Sequence, residues 1–280
     1  MKHIAYFWSG INGWVICSVL ATITFVSYWF SVSFPIYFWI AAAASTELIY
    51  SIDHWADARR AKDPQTLSFR HRIFKEYPTI MLLWISIVAG ILVFCIFYLP
   101  KQVFLVGIAG VAAIAVWYFI RYIFLRKIAI SFWLKAVGIS MGYVLGLWGT
   151  MAMFLHTQGQ KIDFKKWAFP MIGYVLIALI NVLICANTQI NYDIQHGFEK
   201  DIDTKVILKY LIGITGLFWL LLSSVSFWPS ICCVFICLGF YGLHQKPVLH
   251  SLFPETQLAD ALLVIPLVLP LCRFLSSTFA

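Results

Sequence analysis

Tyr50-Ser51-Ile52-Asp53-His54-Trp55-Ala56-Asp57-Ala58-Arg59-Arg60 follows a long apolar run and carries two carboxylates four residues apart. On a helix that spacing sets Asp53 and Asp57 on one face, one turn apart. Carboxylates at the end of a membrane helix are costly unless something positive lies beside them. A hard divalent cation such as Mg²⁺, itself carrying phosphate oxygens, suits such a pair. Arg59, Arg60 and Lys62, then Arg70 and Arg72, follow and have the charge and donors to hold the same phosphates. The same spacing is common on solvated helices, where Asp53 and Asp57 would pair with Arg59 or Arg60, so the setting decides its meaning.

That setting is a bilayer. The 280 residues are 62% hydrophobic and only 11% charged, and several apolar runs approach or exceed the roughly 20 residues that cross a membrane. The runs are solidly apolar, without the alternation of a membrane barrel, so the predicted class is all-α. Only Lys2 precedes the first run, and no clear small-residue cleavage site follows it, so it reads as a retained span. The net charge of +8 then reports topology and implies no nucleic-acid partner. The seven cysteines lie mostly inside apolar runs and read as buried thiols.

Nine spans are predicted, at about 8–28, 34–52, 77–98, 102–120, 131–154, 167–187, 206–225, 228–243 and 258 to the end, forming one transmembrane domain over 1–280. Alternating the loops puts fifteen Lys and Arg on the side of the N-terminus and five on the other. The positive-inside rule therefore places the N-terminus and both long polar segments, 53–76 and 187–205, in the cytoplasm, as for a multi-pass protein of the cell's inner membrane.

The second polar segment opens Asn187-Thr188-Gln189-Ile190-Asn191-Tyr192-Asp193. Asn187 and Asn191 share a helix face, with Asp193 just beyond. Glu199, Asp201 and Asp203 are balanced by Lys200 and Lys205 and read as a solvated loop. His54 reads as a helix-surface histidine. Asp260 reads as a carboxylate in the opening turn of the last span, where the helix dipole favours it.

Taken together, these motifs resemble the UbiA superfamily of intramembrane prenyltransferases, over essentially the whole chain. Asp53-xxx-Asp57 matches the end of that family's first motif, and the stretch at 187–203 lies where the second belongs. Tyr50-xx-Asp53-His54-xx-Asp57, Ser68-Phe69-Arg70-His71-Arg72 and Leu258-Ala259-Asp260 through Pro266 look like one divergent branch, and Phe132-Trp133-Leu134-Lys135 resembles the opening of the family's fifth helix. The resemblance implies nine helices around a central cavity and a transferase that moves an isoprenoid chain from a polyprenyl diphosphate to a hydrophobic acceptor, aromatic or lipid. It implies Mg²⁺ held by Asp53, Asp57, Asn187 and Asp193. The diphosphate would be held by Arg70, Arg72, Lys135, Asn187 and Asn191, with Asp53, Asp57, Asp193 and Lys135 as the catalytic set. Departures from the family pattern are Ile49 and Tyr50 in place of an Asn and an Asp, and Asn187 and Asn191 at aspartate positions. Amide oxygens offset less of a metal's charge. Two other readings stand beside the transferase: a non-catalytic isoprenoid or lipid binder of the same fold, and a small-molecule transporter. A transporter is expected to carry ionisable groups or broken helices near mid-membrane.

Overall fold

The computed structural model describes residue 8 and residues 11–60, 69–119, 130–188, 198–199, 204–245 and 255–271. Among the described residues ten helices are formed in order: α1 (Gly13–Phe30), α2 (Ile36–Arg60), α3 (Phe69–Glu76), α4 (Pro78–Ile96) and α5 (Lys101–Phe119), then α6 (Phe132–Thr157), α7 (Phe164–Thr188), α8 (Thr204–Leu222), α9 (Phe227–Gln245) and α10 (Glu255–Leu262). A two-residue parallel bridge joins β1 (Ile130–Ser131) to β2 (Phe198–Glu199). The protein is helical, and among the described residues five helices are long and apolar enough to cross a membrane: α1, α4, α6 from Ala136, α7 as far as Cys185, and α9. Shorter apolar helical stretches occur at Lys101–Ala113, Val206–Leu222 and Gln257–Leu271. The 25-residue α2 has the length to span but is not among the five, because Glu47 and Asp53 interrupt its apolar composition.

The helix ends follow local chemistry. Asn12 enters α1 with φ 48°, a left-handed conformation that Asn tolerates better than most residues, and Ser31 closes the helix with φ 54° and an N–H donated to the Ser27 carbonyl. Pro35, Pro78 and Pro100 stand at the starts of α2, α4 and α5, where a missing N–H costs nothing. The predicted ninth span is not one continuous α-helix. α10 stops at Leu262, and a 3₁₀ turn over Ile265–Val268 follows, because Pro266 has no N–H for the helical ladder.

The chain packs into two compact units. The first comprises residues 1–98, 225–232 and 257–280. In it, α2 packs against α1, α3 and α4. Ala58, Ile73, Phe74 and Met81 form a buried cluster there, with Trp55, Trp84 and Ile85 against it. The outward side of α4 shows Ile80, Leu83, Ile87 and Phe94, an apolar face that suits lipid rather than water.

The second unit comprises residues 99–224 and 233–256, and in it α6 packs on α5 and α7, and α7 on α8. Trp148 is fully buried, edge-on to Trp167 at 5.3 Å between ring centroids and tilted against Tyr174 at 6.0 Å. Gly173 allows α7 to approach the buried Trp219 of α8; a Cβ there would come within 2.6 Å of both Phe218 and Trp219. None of the six described cysteines forms a disulfide.

Candidate functional site

The polar chemistry of the first unit is carried mainly by α2, on two different faces. At about 100° per residue, Glu47, Ser51, His54 and Ala58 line up along one face, and Asp53 and Asp57 lie together about 100° round the helix from it. The first face is buried at all four positions, whereas Asp53 and Asp57 are half-buried.

Glu47 is the hub of the buried face. Its carboxylate accepts three hydrogen bonds: from Ser51 Oγ to Oε1 at 2.7 Å, from Trp84 Nε1 to Oε1 at 2.8 Å, and from Asn12 Nδ2 to Oε2 at 3.1 Å. Those donors come from α2 itself, from α4, and from the residue that leads into α1. Asn12 Oδ1 is buried and has no hydrogen-bond partner. Beside Glu47 lies an open groove of about 540 Å³ between α1, α2 and α4, rimmed by the exposed Ile36, Ile40 and Ile91. Its lining is apolar, with Ile16, Ile40 and Val88 typical of it, except for the Trp39 and Trp84 indoles and Glu47, the single charged residue among the lining side chains. Trp39 Nε1 donates to the Phe34 carbonyl at 3.0 Å, so both indole N–H groups are bonded to protein.

At the polar end of α2, packing with α3 supplies a second arrangement. Asp57 Oδ2 lies 3.5 Å from His71 Nε2. The His71 ring sits 4.5 Å from that of His54, which also packs edge-on to Tyr50 and Phe74. His54 is therefore a buried aromatic-cluster residue and not a helix-surface histidine, because α3 folds back over that face of α2. Arg59 stacks over the Trp55 ring with its guanidinium carbon 4.3 Å from the centroid. Arg72 has a buried Nε that donates to nothing among the described residues.

Of the sequence-predicted site residues, Asp53, Asp57 and Arg72 are thus brought to one end of the first unit. Arg70 lies in α3, Lys135 in the first turn of α6 and Asn187 in the last turn of α7, but their side chains lie outside the described residues. Asn191 and Asp193 lie outside them altogether. Among the described residues no group of three or more His, Cys, Asp or Glu is placed to hold a metal. Asp260 is buried past the first turn of α10, which begins earlier, at Glu255, so the helix-dipole role assigned to it does not hold. The residue that the sequence reading passed over is Glu47. Its signal was a lone carboxylate within an apolar run, with Ser51 one turn on.

No protein-family model, no curated protein and no solved structure matches this chain.

Proposed function

We propose that this chain is a membrane prenyltransferase of the UbiA kind that takes a polyprenyl diphosphate at the polar end of α2. The observation that carries this reading is the meeting of acid and base there. Asp57 pairs with His71 at 3.5 Å, and the next residue, Arg72, has a buried guanidinium N–H without an acceptor among the described residues. A phosphate oxygen is a natural acceptor for such a donor. Asp53 and Asp57 offer hard oxygens one turn apart and only half-buried, which fits Mg²⁺, an ion that keeps several waters and takes one or two carboxylates besides phosphate. Bound there, Mg²⁺ would neutralise charge on the departing pyrophosphate. The protein's own part is to hold the diphosphate through Arg72, set the carboxylates through the α2–α3 packing, and exclude water with the surrounding apolar helices. Nine spans around a central cavity and a cytoplasmic N-terminus belong to the same proposal.

The test is binding of a labelled polyprenyl diphosphate to purified protein, with Mg²⁺ and with chelator, for wild type, Asp53→Asn/Asp57→Asn and Arg72→Gln. Binding that needs Mg²⁺ and is lost in the double variant supports the reading, and product formation with an added acceptor separates a transferase from a binder. Binding indifferent to metal and to both substitutions defeats it.

One observation favours the transporter or lipid-binder alternative. Glu47 lies eleven residues into α2, about 16 Å along its axis, a depth near the middle of a bilayer core if α2 crosses the membrane, as this reading has it. An ionisable group at that depth beside a groove is a recurring feature of transport and ligand sites.

A further inference from the structure

The α1–α2–α4 groove has a polarity that isoprenoid binding does not explain. Its walls are apolar, yet it contains a carboxylate that is only 2% exposed. All three groups that touch this carboxylate are neutral and can donate: a serine hydroxyl, an indole N–H and a side-chain amide. Three donors favour the ionised, acceptor-only form, whereas a turn of the Asn12 amide would let a protonated Glu47 donate to Asn12 Oδ1 instead. Burial nevertheless disfavours the charged form, and an opposite charge placed beside it would offset that cost. No Lys, Arg or His among the described residues bonds to Glu47 or lines the groove.

The hydrogen-bond count shows where such a charge would sit. Each carboxylate oxygen has two acceptor positions. Oε1 has both filled, by Ser51 and Trp84, whereas Oε2 has one filled, by Asn12. Glu47 therefore keeps one open position, on Oε2. The Trp39 and Trp84 rings line the same space with their N–H groups already committed, which leaves π-faces as their means of binding. Carboxylate and indole together are the chemistry that recognises an organic cation.

We infer that this groove binds an apolar molecule carrying one positive charge, an aliphatic or alicyclic amine, with its ammonium on Glu47 Oε2 and its hydrocarbon body against Trp39, Trp84 and the aliphatic walls. A volume of about 540 Å³ lies within the usual range for small-molecule sites and admits a compact amine. The site is distinct from the Asp53–Asp57 end and does not rest on the diphosphate reading.

The experiment is equilibrium binding of radiolabelled 1-aminoadamantane to the full chain in lipid nanodiscs, with neutral 1-adamantanol as the size-matched control. Wild type, Glu47→Gln and Ala43→Phe are compared, Ala43→Phe placing a phenyl ring in the lining one turn from Glu47 on the same face of α2 while keeping the carboxylate. The expected result is saturable amine binding to wild type, weakened about tenfold or more in Glu47→Gln and abolished in Ala43→Phe. The alcohol binds wild type and Glu47→Gln alike, and more weakly than the amine binds wild type. Equal amine affinity in wild type and Glu47→Gln overturns the inference, as does an alcohol that binds wild type as tightly as the amine, which would mean an uncharged groove. If Glu47→Gln does not fold, amine binding that survives in Ala43→Phe overturns it equally.

Discussion

Truncating Glu47 tests whether its carboxylate joins α1, α2 and α4 in the first unit. In Glu47→Ala three donors, two buried and one partly buried, lose their acceptor at once. Ser51 lies four residues on in the same helix and can turn its hydroxyl to the residue-47 carbonyl, as Thr22 does to Ser18 in α1. Trp84 Nε1 and Asn12 Nδ2 have no such local exit. At about 1–3 kcal/mol for each stranded donor, the loss is about 2–6 kcal/mol. Glu47→Gln behaves differently. Its Oε1 still accepts from Ser51 and Trp84, and its amide N–H can donate to Asn12 if that side chain flips. Such a flip turns Asn12 Oδ1, now without a partner, towards position 47. The expected cost of Glu47→Gln is then about 1 kcal/mol, the difference between charge-assisted and neutral bonds. Reversible denaturation in mixed micelles, followed by tryptophan fluorescence and by far-UV circular dichroism, measures both. If Ala and Gln destabilise equally, the carboxylate is not the acceptor that joins the three elements, and the reasoning fails.

Other substitutions test the packing of the second unit. Gly173→Ala puts a methyl within 2.6 Å of the fully buried Trp219 and of Phe218, and is expected to cost about 1–3 kcal/mol. Gly142→Ala in α6, with nothing within 4 Å of its added carbon, is expected to be neutral or slightly stabilising; denaturation midpoints of the pair decide the matter. Trp148→Ala removes the indole packed on Trp167 and Tyr174, with an expected loss of about 3–5 kcal/mol and altered near-UV dichroism. An unchanged near-UV spectrum would show that the three rings do not form the cluster.

Much of the helical layout was legible before any coordinates. Apolar runs set the helices, and prolines set several of their starts: α4 begins at Pro78 and α5 directly after Pro100, close to the boundaries that the sequence predicts. The i, i+4 spacing of Asp53 and Asp57 was likewise readable, because helical periodicity depends only on positions along one element. The 3₁₀ turn inside the ninth apolar stretch is not legible in the sequence's hydropathy, which registers the side chain of Pro266 but not its missing N–H. His54 was misjudged because the element that covers it, α3, approaches from a segment that no local pattern ties to α2.

Composition and periodicity by themselves determined that this is a helical membrane protein with an acidic pair ending its second long helix. Both follow from short-range facts: the length of an apolar run against a bilayer, and the pitch of a helix. Only the tertiary structure decided which carboxylate is buried and what holds it there. Glu47 meets Asn12 and Trp84 across 35 and 37 residues, and whether a charge inside an apolar run faces lipid, water or a ring of donors depends on which helices close around it.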